Sequence, residues 1–380
     1  MTQSTFDIQS TFDIVDTLSE IAPDSPLAQA RATRDAATRH TQGSYDALFS
    51  QTTSDTLPLA LRFFIAEKVS GWHQNARLQH FYAQRLADFP APTPGVALDL
   101  TLEHAERLAL QPITAQPESL QALQQAGWAV DDIVTLSQLV AFVSFQSRLL
   151  YGYRLLAGHA EERAPVAPAA VAGLWHTQAL TNSGKTAPNA FTQGELGWEP
   201  WLPAKPLAEF TPDEQAILAR FGHTDSDYFR LLGRNLPVLE QRTLTDKGIF
   251  YTSGGLPRQD RELAAAVVSK VNGCIYCASV HARKASQLSK QHDAVQRLLD
   301  VPPGEDLAAG QHPRWQAIIT FAARLSTTPS QANAQDLARL HKQGLDTLEI
   351  LDLIQSTAFF AWANRLMLTL GEPFWPGNRG

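Results

Sequence analysis

Sulfur is almost absent from these 380 residues, which hold two cysteines and two methionines. A disulfide framework needs several separated pairs, so cross-links do not hold this chain together. Charged residues are sparse at 18%, and 31 Lys and Arg against 38 Asp and Glu leave a net charge of -7. Proteins that live on phosphate contacts need a basic face, so nucleic acid is excluded as the expected partner. The first residues, Met1 to Ile8, lack the basic start and apolar run of a secretion signal. No stretch is expected to supply the roughly 20 apolar residues of a membrane span. The expectation is a cytoplasmic protein with no membrane partner. A hydrophobic content of 44% argues against disorder, and the length suits two domains at roughly 100–200 residues each.

An internal repeat organises what is there. Residues 107–149 align without gaps on residues 324–366, an offset of 217, with 14 of 43 positions identical. Leu57-Pro58, Arg62, Ala66, Val69 and Ser70 recur at an offset of 199 as Leu256-Pro257, Arg261, Ala265, Val268 and Ser269. The chain therefore reads as a duplicated domain, with residues 1–157 and 207–380 as the copies. Between them, residues 158–206 carry six prolines from Pro165 to Pro206 and read as a linker with few helical hydrogen bonds. Trp175, Trp198 and Trp201 argue that parts of it lie against a domain surface. A further short duplication, Gln3–Ile8 repeated as Gln9–Ile14, is assigned no function.

Thr211-Pro212-Asp213-Glu214 combines an N-cap hydroxyl, a proline at the first helical position and an acid placed for a capping box, and Asp24-Ser25-Pro26 offers a similar start. Apolar residues recur at three and four, as in Leu263, Val267 and Val271, and no stretch alternates like a strand. Both halves read as all-α.

Both cysteines sit in one short segment, Asn272-Gly273-Cys274-Ile275-Tyr276-Cys277-Ala278-Ser279-Val280-His281. Asn-Gly is a strong turn pair, which predicts one helix from about Pro257 to Val271 and another from about Cys274. On the second helix Cys274, Cys277 and His281 fall on one face, and His281 leans back toward Cys277. The turn folds the first helix back so that Glu262 approaches them. Free N–H groups at a helix start, a nearby imidazole and a partner thiol all favour thiolate. Cys277, His281 and Glu262 then form a chain of nucleophile, base and orienting group. Two other readings of these residues stand beside it. One is a zinc site of Cys274, Cys277, His281 and Glu262, although a structural zinc draws on two separated knuckles and the chain has no second cysteine pair. The other is a pair of buried small hydrophobes.

The spacing Glu262-x11-Cys274-x2-Cys277-x3-His281 resembles the active-site signature of the alkylhydroperoxidase D and carboxymuconolactone decarboxylase superfamily. Ala358-Phe359-Phe360 through Asn364-Arg365-Leu366 is similar to the closing helix of its peroxidase-related branch. The resemblance implies two helical domains of this type in tandem, assembled into a homo-oligomer, with thiol-dependent peroxidase activity and no cofactor or metal. It implies Cys277 as the peroxidatic nucleophile, Cys274 as the resolving thiol, His281 as base or proton relay and Glu262 as the group that orients it. The substrate would be an organic hydroperoxide or hydrogen peroxide, and an outside dithiol would be the reductant. Tyr276 stands where the alkylhydroperoxidase D pattern often has histidine, and a phenol is a poor base at neutral pH.

The alternatives are a decarboxylase or isomerase using the same pocket, and a non-enzymatic assembly protein switched by a disulfide. The first half lacks the equipment: it has no cysteine, Phe63 takes the position of Glu262, and His80 could stand against His281 only through a small deletion. It reads as a degenerate copy filling a subunit-like position. Gln355 and Arg365, matched by Gln138 and Arg148, are expected to serve packing, with Arg365 also a candidate to hold a substrate carboxylate.

Overall fold

A computed structural model describes residues 13–50, 56–159 and 172–377. The six-residue duplication, apart from Asp13 and Ile14, lies outside them, as do Pro165 and Pro168 of the linker. The chain begins with α1 (Ile14–Ser19), α2 (Pro26–Thr33), α3 (Asp35–Leu48), α4 (Leu59–Trp72), α5 (Ala76–Leu86), α6 (Val96–Leu110), α7 (Pro117–Gln125) and α8 (Val130–Leu156). After a segment bearing strand β1 (Gly197–Pro200) it continues with α9 (Pro212–Phe221), α10 (Asp227–Leu232), α11 (Leu236–Phe250), α12 (Arg258–Asn272) and α13 (Ile275–Ser289). It closes with α14 (His292–Asp300), α15 (Pro313–Ser326), α16 (Ala334–Lys342), α17 (Thr347–Thr369) and strand β2 (Gly371–Phe374). The fold is all-α.

Local chemistry sets these boundaries. Thr211 and Glu214 close the expected capping box on α9, and Gly222 ends that helix in the left-handed conformation. Asn333 and Asp346 make the same reciprocal caps on α16 and α17 with Asp336 and Glu349. Ser25 caps α2 ahead of Pro26.

Two long helices, α8 and α17, pack against each other at the centre. They approach closely at Gly152, where a Cβ would lie 2.5 Å from Cγ2 of Ile354. By length and composition α8 could cross a membrane, contrary to the sequence expectation, but its apolar window is wholly buried inside the fold. Its composition follows from its place: a helix surrounded by protein on every side has no polar face to keep.

The repeated arginines form reciprocal clamps across the two halves. Arg148 donates to the carbonyl of Ser326 at 3.0 Å, and Arg365 donates to the carbonyl of Ala109 at 2.8 Å. Residues 109 and 326 are themselves related by the 217-residue offset. Gln355 donates to the Tyr153 hydroxyl at 2.9 Å, and Gln138 accepts from the Trp362 indole at 2.8 Å. All four shared residues serve the packing of the common fold, as expected. Arg365 is 1% exposed and spent on backbone carbonyls, so the carboxylate-holding role does not fall to it.

The linker tryptophans lie against the second half. Trp198 donates to the Met367 carbonyl at 3.1 Å and Trp201 to Glu372 at 3.0 Å. Lys270 lies over the Trp175 ring at 4.7 Å. One sequence expectation is corrected here. Gly197–Pro200 pairs antiparallel with Gly371–Phe374, giving a two-stranded sheet that no alternation announced. These four-residue strands contain Gly and Pro, and their pairing depends on a close backbone approach: a Cβ on Gly371 would sit 2.2 Å from the Glu199 carbonyl oxygen.

Candidate active site

The α12–α13 hairpin is built on its turn. Gly273 ends α12 at φ 79°, and a Cβ there would lie 2.1 Å from the carbonyl oxygen of Leu174 in the linker. Glycine meets both demands. With the chain reversed there, the two helices pack side by side and His281 Nδ1 comes within 2.6 Å of Glu262 Oε2. Glu262 is 1% exposed and also accepts from Arg258 Nε at 3.2 Å. Burial alone would raise the pKa of Glu262. The charge and hydrogen bond of His281, helped by Lys284 and Arg258, hold it below the ordinary carboxylate range instead. An ionised carboxylate can only accept, so Nδ1 carries the proton and Nε2 is left for chemistry.

Cys277, on the first turn of α13, borders the same cavity as Glu262 and His281. This cavity measures about 400 Å³, with Phe221, Phe229, Phe359 and Phe360 among its walls. Phe360 meets the His281 ring edge-on at 4.2 Å. Among the described residues no hydrogen bond joins His281 to Cys277, whereas the sequence led us to expect direct contact. The imidazole is turned toward Glu262, and the space beside Cys277 is left to the cavity.

The shared helical face is corrected for Cys274. This residue is the N-cap, with extended backbone angles of −83° and 92°, so the one-face geometry of a helix does not reach it. It borders a different cavity of about 210 Å³, walled by His176 and Trp201 from the linker, Gln116 from the first half and Glu372 from β2. Tyr276 borders both cavities. Both cysteines are buried free thiols. Burial pushes the Cys274 thiol well above its ordinary range, and its hydrogen bond with Cys277 adds to the rise. The expectation that local effects favour thiolate therefore fails at Cys274, because desolvation outweighs the helix start. Burial likewise raises the Tyr276 phenol, which stays neutral.

The sequence reading missed several residues that α11 and α13 contribute to the larger cavity: Arg242, Asp246, Lys247 and Lys284. Burial raises the Asp246 pKa against the pull of Arg242, His281 and Lys284. In sequence, Arg242 and Asp246 are an ordinary i,i+4 pair of opposite charge, the pattern of a solvated helix face. The signal that could have singled them out is the apolar company of Ile249 and Phe250 on the same helix. Among the described residues no group of three or more His, Cys, Asp and Glu side chains is arranged to hold a metal ion.

In the first half, the register of the helix caps answers the question of His80. Asn75 stands at the N-cap position of α5 and Cys274 at that of α13, the same 199-residue offset, which sets Tyr82 against His281 and needs no deletion. His80 lies exposed.

Comparison with known proteins adds the following. Residues 237–302 match the carboxymuconolactone decarboxylase family. An uncharacterized peroxidase-related protein from Ralstonia eutropha JMP134, described as an alkylhydroperoxidase AhpD core, superposes with a TM-score of 0.36 at 23% identity, covering 43% of this chain and 86% of its own. An uncharacterized peroxidase-related protein from Silicibacter sp. TM1040 superposes with a TM-score of 0.37 at 23% identity, covering 45% of this chain and 92% of its own. No curated protein matches the chain.

Proposed function

We propose that the chain, whose residues 237–302 match the carboxymuconolactone decarboxylase family, is a thiol-dependent peroxidase working through Cys277 and Cys274. One observation carries the reading: Cys277 opens onto the same cavity as a buried Glu262 joined at 2.6 Å to a half-buried His281, with a second free thiol at the N-cap position of its own helix.

The chemistry follows from those positions. The Cys277 thiolate attacks the terminal oxygen of a hydroperoxide, the O–O bond breaks, and the leaving alkoxide takes a proton to become an alcohol. His281 is the proton relay for that step and Glu262 fixes its tautomer and supports its charge. Cys277 is left as a sulfenic acid, which the Cys274 sulfur attacks, expelling water and forming a disulfide. The Cys274 thiol, kept protonated by burial, competes little for peroxide, and its proton leaves with the sulfenic hydroxyl as water when the disulfide forms. An external dithiol then reduces the disulfide by two successive exchanges. The cavity at Cys274 gives such a reductant an approach separate from that of the peroxide. Tyr276, between the two cavities, serves as a neutral hydrogen-bond donor.

The first half, in this reading, is a degenerate copy that covers α17 as a neighbouring subunit would. The test is rapid mixing of reduced protein with cumene hydroperoxide. Two thiols per chain should be consumed, and Cys277→Ser should consume none. A Cys277→Ser protein that reacts as fast as the parent overturns the assignment.

A further inference from the structure

The larger cavity holds a cation that no ion pair among the described residues neutralises. Arg242, on α11, is 6% exposed, and its Nε is buried with no hydrogen-bond partner. Among the described residues its one hydrogen bond to a side chain is a long one, from Nη2 to the Tyr228 hydroxyl at 3.4 Å. Rings of Phe359 at 5.2 Å and Trp362 at 5.7 Å back the guanidinium. Among the described residues no carboxylate reaches it within ion-pair distance, not even Asp246 one turn along the same helix. A buried arginine without a carboxylate is costly, because desolvation is offset only when the charge is paired and its donors are used. Arg261 and Arg365 also leave Nε without a partner, but their other donors are engaged: Arg62, Arg148 and Arg365 on carbonyls, Arg261 on Asp352 at 2.9 Å.

The surroundings say what would satisfy it. The walls are apolar and aromatic, and Lys247 and Lys284 add two more cations to the lining against Asp246 and Glu262. Glu262 is already committed to His281 and Arg258. A neutral molecule leaves the guanidinium unmatched, and inorganic phosphate leaves the apolar walls wet. The geometry points to a carboxylate-bearing, otherwise apolar ligand: the substrate is a hydroperoxide of an organic acid, its carboxylate on Arg242 and its hydrocarbon body along the phenylalanine walls toward Cys277. This rests on the peroxidase reading for the reacting group, but the acid-binding part stands apart from it.

Calorimetry on the reduced protein separates the two, since binding needs no turnover. Octanoate is the probe and 1-octanol its neutral control. A charge-assisted hydrogen bond of ordinary strength makes octanoate bind about 10-fold or more tighter than octanol. In Arg242→Gln that preference should fall to about one, and in Arg242→Lys it should return in part. Asp246→Asn, which removes the opposing charge and remains informative if Arg242→Gln does not fold, should tighten octanoate about 3-fold. Equal binding of octanoate and octanol by the parent protein overturns the inference. So does an Arg242→Gln protein that weakens both probes alike, or an Asp246→Asn protein that weakens octanoate. Failure of the peroxide assay would leave this binding result intact, and failure of octanoate binding would leave the reaction with cumene hydroperoxide intact.

Discussion

The α4–α5 hairpin and the α12–α13 hairpin stand in register at an offset of 199, with Asn75 and Cys274 at the N-cap positions of their second helices. In the first, Phe63, Leu78 and Tyr82 occupy the positions that Glu262, Cys277 and His281 hold in the second. Phe63 stacks on Phe49 at 4.9 Å, Phe49 packs on Tyr82 at 5.3 Å, and the Tyr82 hydroxyl donates to Gln146 at 2.6 Å. Rings fill the interior there. The other hairpin encloses a cavity, a buried ionised acid and a thiol, each of which costs stability relative to packed apolar side chains. The scaffold thus stands without the polar set, and what the second hairpin gains from it, under the proposed function, is chemistry.

The largest expected effect breaks that comparison if it fails. Glu262→Gln keeps the shape but gives up the charge that holds His281, and general acid–base catalysis of this kind contributes on the order of 10²–10⁴-fold. The rate of thiol oxidation by hydroperoxide should drop by about that factor, and His281→Ala should drop it similarly. The double variant should lose little more than either single one, because the two groups act as a unit. Rates within about 3-fold of the parent would mean the pair is packing, like its counterpart in the first hairpin.

A second effect belongs to stability. Phe63 is 7% exposed within the aromatic cluster, and truncating such a ring costs about 3–5 kcal/mol. Phe63→Ala should lower the urea midpoint accordingly while leaving the peroxide rate of the folded protein unchanged. A lost rate without lost stability would give the first hairpin a part in the reaction.

How much of this was legible in the sequence depends on whether the signal was local. The meeting of Glu262 and His281 was readable because Asn272-Gly273 fixes a reversal and helical spacing does the rest. The shared packing of Arg148 and Arg365 was readable from the repeat. Cys274 facing its own cavity was not, because the helical wheel fails at a capping residue with extended angles. The β1–β2 pair joins segments more than 170 positions apart, and neither strand is long enough to alternate. The apolarity of α8 is a property of its place between the halves, and composition alone cannot tell that from a lipid setting. Arg242 was hidden because an i,i+4 charge pair reads the same whether water or a cavity lies beyond it.

The smallest effect concerns pH and sharpens the same contrast. The Glu262 carboxyl, ordinarily near 4.5, is held lower in the folded protein, so the folded state binds that proton less readily than the unfolded one. Its contribution to stability is present above the ordinary value and is lost as the pH falls through the lower folded value. Asp246, raised mainly by burial, works the other way; the Glu262 charge adds only a small part of that rise, so most of it is common to the parent and to Glu262→Gln. Urea unfolding at neutral pH and again near pH 4 should therefore show the parent losing more stability than Glu262→Gln. Amide exchange should place the loosening in α12–α13 before α4–α5, because Phe63 has no proton to take up. Equal losses in the parent and Glu262→Gln would mean that His281, Lys284 and Arg258 do not hold the carboxylate charged, and the polar hairpin would then owe its stability to the same apolar packing as its twin.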